Sequence, residues 1–134
     1  MLLLPCLPAS VALVRRRLTA DLLATGIFDA AVFDAVLVVS ELLSNAILHA
    51  RPIPGAKLRV AWVLRGGTIE VAVSDGGGPT RPHNTHASVS ALGGRGLGIV
   101  EYLSRTWGTR SDELGLTVWA VLPAPQRVGN EVAS

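Results

Sequence analysis

The chain is poor in cysteine and in aromatic residues. Cys6 is the only cysteine among 134 residues, which excludes an intrachain disulfide and is compatible with a reducing compartment. Aromatic residues make up 4% of the sequence although 49% of it is hydrophobic. We therefore expect one domain with a core of Val, Leu, Ile and Ala.

Positive charge is also sparse. The formal net charge is +2, and three consecutive arginines at residues 15–17 form the one dense basic cluster. They lie within an apolar helical pattern, which favours a solvated helix face. Direct nucleic-acid binding needs a wider basic stripe and is not expected.

Export and membrane signals are lacking. Pro5 and Pro8 interrupt the apolar start, and no positive residue precedes it, unlike a signal peptide. No stretch approaches the roughly 20 apolar residues of a membrane span. The sequence predicts a soluble, cytoplasmic protein without membrane contact.

Hydrophobic periodicity indicates the elements. Residues 1–7 are either an edge strand or an irregular terminus, and a helix follows from a cap at Ser10 to Gly26. Further along we predict a helix over residues 29–50, strands Lys57–Arg65 and Thr68–Ser74, a loop over 76–94, a helix over 97–105, and strands over 107–110 and 116–122. This order predicts an α+β two-layer sandwich, with helices on one face of a mixed, mostly antiparallel sheet. Residues 124–134 are predicted to be a frayed tail.

A polar stripe marks the second helix. At about 100° per residue, one narrow arc holds Asp34, Glu41, Asn45 and His49. For any single residue a solvent-exposed face is the more common interpretation, and a row lining a cavity is the alternative. An asparagine oxygen suits Mg²⁺, and a glutamate one turn earlier could accept a proton from a nucleophile.

Asp75 ends the second strand pattern and shares the parity of its apolar residues, so we expect it to project inward. Three glycines follow it and permit close backbone approach. A buried carboxylate needs a partner, such as an exocyclic amine of a ligand. An ordinary Asp-Gly turn is the alternative.

A glycine-rich segment, residues 94–98, opens the third helix pattern as Gly-Arg-Gly-Leu-Gly. Free N–H groups at a helix start favour anions, and glycine allows phosphate oxygens to come close. The segment lacks the Gly-Lys-Ser/Thr end of a P-loop, and it does not directly follow a strand as a dinucleotide fingerprint would.

Together these motifs resemble those of the GHKL ATPase/kinase superfamily. Residues 41–46 are similar to its N box, residues 75–77 to its G1 box and residues 94–100 to its G2 box. The start at residues 8–11 and the end at residues 115–119 resemble those of the anti-sigma factor serine kinases and their small actinobacterial relatives. The resemblance spans nearly the whole chain and implies a Bergerat-type domain over residues 1–123.

The resemblance implies a role for each matching residue. Glu41 would be the general base toward a serine hydroxyl of a protein substrate, and Asn45 would ligate Mg²⁺. Asp75 would accept a hydrogen bond from the adenine amino group of ATP, assisted through a water by Thr117. Nucleotide contacts are further implied for Gly77, Gly94, Arg95, Gly96, Leu97 and Gly98, and residues 80–93 would form a lid.

Two departures from the family pattern concern the segment after Asp75. Pro79 stands where the G1 box usually has glycine, which removes a backbone N–H and fixes φ at the first hinge of the lid. His83 and His86 lie in the lid, but no further histidine or cysteine gives them metal-ligand spacing. We interpret them as loop histidines.

Three functions compete. The first is a protein serine/threonine kinase of the anti-sigma type, for which the resemblance implies a sigma factor, an anti-anti-sigma (STAS-type) protein and a homodimer. The second is a nucleotide-binding interaction module without catalysis. The third, an excised histidine kinase catalytic domain, is disfavoured because no phosphoacceptor-helix segment precedes the motifs.

Overall fold

A computed structural model describes residues 1–49, 57–75, 95–112 and 115–127. Within these ranges the elements are β1 (Leu2–Pro5), α1 (Ala9–Leu23), α2 (Asp29–His49), β2 (Lys57–Arg65), β3 (Thr68–Ser74), α3 (Arg95–Leu103), β4 (Thr106–Asp112) and β5 (Gly115–Pro123). The N-terminus thus contains the edge strand that was one of its two predicted states. The loop predicted over 76–94 lies outside the described residues.

The five strands form one sheet in the order β1-β2-β3-β5-β4. Each of the four strand pairs is antiparallel, so the described sheet contains none of the parallel pairing that a mixed sheet would have. Gly66 and Gly67 close the tight β2–β3 turn with φ of 39° and 88°, which glycine adopts without a steric penalty. Because β5 pairs with β3, the end of β3 meets the start of β5.

The helices cover one face of this sheet. Helix α2 packs against β3 and β5, and α1 and α3 flank it. Alternate residues of the central strands point into the interface, where Val71 and Ala120 are fully buried, as are Val38 and Leu43 of α2. This arrangement confirms the predicted α+β two-layer sandwich with an aliphatic core.

Helix α2 has the length and composition of a membrane-spanning helix. Its segment Asp29–Leu48 has a mean hydropathy of 1.8, so the expectation that no stretch approaches a membrane span was wrong. Half of that segment is buried inside the protein. A helix enclosed by a sheet and two other helices needs apolar residues around most of its circumference, which accounts for this composition.

The start of α1 differs from the prediction that Ser10 is its cap. The helix begins at Ala9, with Pro8 in the cap position and no side-chain hydrogen bond there. The buried Ser10 hydroxyl instead donates to the carbonyl of Pro5 at 2.7 Å. This bond fixes the turn from β1 into α1.

Residues 124–127 are described and contact the rest of the domain. Ala124 is 1% exposed, and its N–H donates to the carbonyl of Gly67 at 2.7 Å. The N–H of Arg127 donates to the carbonyl of Gly26 at 2.9 Å, beside a bridge between Ile27 and Gln126. Residues 124–127 are therefore held against the α1–α2 connection, whereas 128–134 lie outside the described residues.

Candidate functional site

The polar stripe of α2 is half-buried, not solvent-exposed. Asp34, Glu41 and Asn45 all have intermediate exposure. The flanking Leu42 and Leu43 are 3% and 0% exposed and anchor this part of α2 in the core. The stripe therefore lies at the margin of the core and is not a fully exposed helix face. The side chain of His49 lies outside the description.

Asn45 carries an orphaned polar group. Its Nδ2 atom is buried and has no hydrogen-bond partner among the residues that the structure describes. A buried donor without a partner costs about 1–3 kcal/mol, so such a group is usually satisfied by a ligand or a water. The amide oxygen of the same side chain suits a hard cation such as Mg²⁺. The Asn45 amide thus fits a position beside a cation and an anionic ligand.

The Asp75 carboxylate is oriented by the backbone of β5. The N–H of Leu116 donates to Asp75 Oδ1 at 3.2 Å, and the N–H of Asp75 donates to the carbonyl of Leu116 at 3.1 Å. The second of these bonds joins the two backbones and continues the β3–β5 ladder one residue beyond Ser74, whereas the first engages the side chain. The carboxylate is therefore fixed at the end of β3, on the face that the helices cover.

Apolar residues surround Asp75 in its own row of the sheet. The strand register puts Leu58 on one side of it and Leu116 on the other, and they are 1% and 6% exposed. Cys6 also lies close enough to feel the charge of Asp75, which together with the larger effect of burial raises the pKa of its thiol from the ordinary value. A half-buried acceptor in such surroundings is suited to a ligand that brings its own donor.

Thr117 is not brought together with Asp75. Its hydroxyl forms a 2.6 Å hydrogen bond with the hydroxyl of Ser74, and both residues are buried. Ser74 and Thr117 are register partners, one position before and one after the Asp75–Leu116 pair. Because side chains alternate along a strand, the two hydroxyls lie on the opposite face of the sheet from the carboxylate. This geometry offers no support for the water-mediated role implied for Thr117.

Helix α3 begins at Arg95 and has no acidic residue in its first turn. Its first N–H groups lack intrahelical acceptors and carry the positive end of the helix dipole. Leu97 is 7% exposed and anchors the turn, whereas Gly98 is exposed and no atom lies within 4 Å of a Cβ placed there. Packing of Leu97 thus fixes this turn of the backbone, whereas the space around Gly98 is open.

Helix α2, which carries the first motif, contacts the elements that carry the other two. Helix α2 packs against both β3 and α3. Asn45 therefore lies on the helix that contacts both the strand ending before Asp75 and the helix that begins at Arg95. The predicted contacts at Gly77 and Gly94, the hinge at Pro79, and His83 and His86 lie outside the described residues. In the part of the chain described, no group of three or more His, Cys, Asp or Glu residues could hold a metal ion.

Two residues near Asp75 escaped sequence reasoning. Cys6 lies about 70 positions away along the chain, and only the order of β1, β2 and β3 places it near the carboxylate. Leu116 contributes through its backbone N–H, which no side-chain pattern reveals. Gly115 before it, with a φ of 118°, is the one sequence signal of a special backbone at this point.

Solved structures with this fold are known. The chain aligns over 94% of its length with the crystal structure of the RsbU and RsbW domains of Rv1364c from Mycobacterium tuberculosis, at a TM-score of 0.67 and 22% identity. The alignment spans 33% of that longer chain. At this identity the likeness establishes the fold alone.

Comparison with protein families is more specific. No curated protein matches the sequence significantly. Residues 4–122 match the model of the histidine kinase-like ATPase domain, which covers all the described motifs from the N box to the start of β5. The chain therefore belongs to the histidine kinase-like ATPase family, the GHKL type that its motifs resemble.

Proposed function

We propose that this protein is an ATP-binding regulator of the anti-sigma type, with serine/threonine kinase activity toward an anti-anti-sigma (STAS-type) protein. The observation that carries the proposal is the buried Nδ2 atom of Asn45, which has no hydrogen-bond partner among the described residues, one turn after the half-buried Glu41. Both lie on the helix that packs against β3 and α3. Membership of an ATPase family supports ATP as the ligand.

The adenine end of the site is assigned to Asp75. Its carboxylate, fixed by the Leu116 N–H, accepts a hydrogen bond from the adenine amino group. The buried side chains of Leu58 and Leu116 in the same row exclude water from that contact. Gly77 provides close approach for the ring, as the family resemblance implies.

The phosphate end is assigned to the start of α3. Backbone N–H groups from Gly94 to Gly98 donate to phosphate oxygens, and the helix dipole favours their negative charge. The Asn45 oxygen would hold Mg²⁺, and the ion would supply neutralisation of charge on the phosphates. The Asn45 Nδ2 group then gains an acceptor within the same charged cluster.

Glu41 is assigned as the general base. The substrate serine loses its hydroxyl proton to the Glu41 carboxylate as its oxygen bonds to the γ-phosphorus of ATP. The bond between that phosphorus and the oxygen bridging to the β-phosphate breaks, and ADP leaves. Most of the acceleration would come from positioning and charge neutralisation. The other protein partner would be a sigma factor, and the site of action the cytoplasm.

A nucleotide-binding module without catalysis is the second candidate. Pro79 favours it, because proline at the first hinge of the lid removes a backbone N–H and fixes φ. This candidate shares the ATP site and differs only in lacking phosphoryl transfer.

The test combines calorimetric titration with MgATP and transfer of labelled γ-phosphate to anti-anti-sigma proteins of the source organism. Wild type should bind ATP and label one of them on serine or threonine. Glu41→Gln should retain binding and lose transfer at least about 100-fold, the scale of general base catalysis. Asp34→Asn, a change in the same stripe two turns earlier, should leave both unchanged.

The outcomes of these two measurements distinguish the candidate functions. Equal labelling by Glu41→Gln and wild type would refute the base assignment. Tight ATP binding with no labelled product across all candidates would favour the module without catalysis. No heat with MgATP would overturn both candidates.

A further inference from the structure

A row of polar residues crosses the face of the sheet opposite the helices. The strand register places its four members side by side on β2, β3, β5 and β4, namely Arg59, Ser74, Thr117 and Arg110. Paired residues of antiparallel strands point to the same side of a sheet, and Asp75, one position after Ser74, points to the other side. The ATP site proposed above uses none of these side chains, so the row needs a separate explanation.

The hydroxyl pair at the centre of the row retains one proton for a further hydrogen bond. The hydroxyls of Ser74 and Thr117 share one hydrogen bond of 2.6 Å, and the two residues are 8% and 7% exposed. Two hydroxyl groups carry two protons, and the bond between them uses one. The other proton has no acceptor among the described residues. The pair can therefore donate to an acceptor that a ligand brings.

Arg59, the register partner of Ser74, provides a second donor of this kind. The side chain is half-buried, and its Nε atom is buried without a hydrogen-bond partner among the residues that the structure describes. Paired residues have Cβ atoms about 5 Å apart, so one ligand between the two side chains is within reach of both. Buried donors are usually satisfied by an acceptor, and an anion with several oxygen atoms would satisfy both of these.

The row carries a positive charge at each end. Arg59 and Arg110 lie three strand spacings apart, about 14 Å, on either side of the hydroxyl pair. Neither arginine forms an ion pair with another described residue. Long side chains reach neighbours about 7–8 Å away along a sheet, so both guanidinium groups can meet above the hydroxyls. Lys57 and Arg65, on the same side of β2, add to the positive potential.

Small residues leave room beside the row. The next row along the strands consists of Ala61, Ala72, Trp119 and Gly108. The ring of Trp119 lies over Gly108, where an added Cβ would meet the Cζ2 atom of the ring at 2.9 Å. The indole thus forms a wall on the β4 side, whereas the two half-buried alanines leave space beside Ser74 for the group that carries the anion.

We propose that this row binds a phosphate monoester, whose terminal oxygens accept hydrogen bonds from Arg59, Arg110 and the hydroxyl pair. At neutral pH a monoester carries nearly two negative charges and three terminal oxygens, which suffice for two guanidinium groups and a hydroxyl. A carboxylate has one charge and two oxygens, which a single guanidinium can satisfy. The phosphate belongs either to a small phosphorylated molecule or to a phosphorylated side chain of another protein, and both present the same group.

NMR titration of the isotope-labelled full chain with O-phosphoserine at constant ionic strength tests the site. The amide signals of Ser74 and Thr117 and the Nε–H signals of the two arginines should shift along one saturable curve. The amide of Gly98, at the phosphate end of the proposed ATP site, should not follow that curve. Aspartate at the same concentration should leave the row unshifted. The absence of saturable shifts in the row, or equal shifts with aspartate, would overturn the proposal.

Substitutions of single arginines separate the row from the general charge of this face. Arg59→Gln should weaken O-phosphoserine binding at least about 10-fold, the scale of a hydrogen bond to a charged group. Arg110→Gln changes an exposed position at the other end and should weaken binding similarly. Arg65→Gln is the matched control: it lies on the same side of β2, roughly 20 Å from Arg59, where salt screens its charge, and should change affinity less than about twofold. Thermal unfolding without ligand checks that each variant is folded, and equal weakening by Arg65→Gln and Arg110→Gln would refute a specific site.

Two further probes distinguish the sources of the phosphate. Inorganic phosphate and a short peptide with a central phosphoserine are titrated in the same way, with the unphosphorylated peptide as control. A peptide that binds at least about 10-fold more tightly than O-phosphoserine would identify a phosphorylated protein segment, and equal affinities would identify a small phosphorylated molecule. Both results support the row as the site, whereas equal binding of the unphosphorylated peptide would contradict it. None of these titrations contains ATP, so their failure would leave the proposed kinase function untouched.

Discussion

The backbone N–H of Leu116 donates to the carboxylate of Asp75 across the β3–β5 pair, at 3.2 Å. The contact joins the end of one strand to the start of another that is 41 positions away in sequence. It holds the acceptor that we assign to adenine in a fixed orientation. A preoriented acceptor loses less entropy on binding than a mobile one.

Replacement of Asp75 by asparagine should weaken ATP binding without unfolding the protein. The asparagine oxygen can still accept from the Leu116 N–H, but the negative charge that strengthens the bond to the adenine amine is lost. A hydrogen bond to a charged group contributes about 1.5–3 kcal/mol, so we expect affinity to fall roughly 10- to 100-fold. Calorimetric titration with MgATP measures the loss, and unchanged thermal unfolding without nucleotide is the control. Wild-type affinity in this variant would remove Asp75 from the site.

The hydroxyl pair of Ser74 and Thr117 should matter for stability and not for nucleotide binding. Thr117→Val leaves the buried Ser74 hydroxyl without its partner at 2.6 Å and should cost about 1–3 kcal/mol in the free energy of unfolding. Thr117→Ser keeps the hydroxyl and is the matched control. Urea denaturation measures the cost. A fall in ATP affinity for Thr117→Val alone would restore the role that the family resemblance implies for this residue.

Replacement of Gly98 by alanine should raise the stability of the protein and lower its affinity for ATP. No atom lies within 4 Å of the added Cβ, and replacing a helical glycine by alanine should stabilise the protein by about 0.5–1 kcal/mol. If phosphate oxygens approach this backbone closely, the same methyl group weakens ATP binding. Thermal unfolding and calorimetric titration of Gly98→Ala should therefore shift in opposite directions. Higher stability with unchanged affinity would place the phosphates elsewhere.

Cys6 should react slowly with iodoacetamide at pH 8. Burial, and then the charge of Asp75, raise the pKa of the thiol from its ordinary value, so the folded protein holds less of the reactive thiolate than the unfolded chain does. The rise of the alkylation rate with pH should come at higher pH in the folded protein than in the unfolded chain. Asp75→Asn removes the second cause and should increase the rate at pH 8. Mass spectrometry of timed samples follows the reaction, and an unchanged rate in Asp75→Asn would separate the two groups.

Much of the architecture follows from local patterns. The alternation over Lys57–Arg65 and Thr68–Ser74 and the two glycines between them predicted the β2–β3 hairpin with its observed bounds. The periodicity over residues 29–50 predicted α2 within one residue of its described end. These elements were predictable because burial of one face requires a fixed repeat along the chain. The hydrogen bonds of Ser10 and of residues 124–127 were not predictable. Packing of the folded chain brings their partners Pro5, Gly67 and Gly26 into reach.

Some features of the candidate site were likewise predictable from the sequence, and others were not. Glu41, Asn45 and Asp75 stand in motifs whose residue types predict their chemical roles before any fold is known. The positions of Cys6 and Leu116 beside Asp75, and the face on which Thr117 lies, depend on strand order and register. A shift of register by one residue moves every side chain to the other face, and no local pattern around Thr117 distinguishes the two.

The sequence by itself determined the aliphatic core, the order of helices and strands, and the family to which the chain belongs, because each depends on residue type and spacing along the chain. Only the tertiary structure decided that Asn45 Nδ2 is buried without a partner among the described residues, that Asp75 is held by the backbone of β5, and that Arg127 pairs with Asp29. These relationships join residues far apart in sequence, and their geometry is set when the sheet pairs and the helices pack on it.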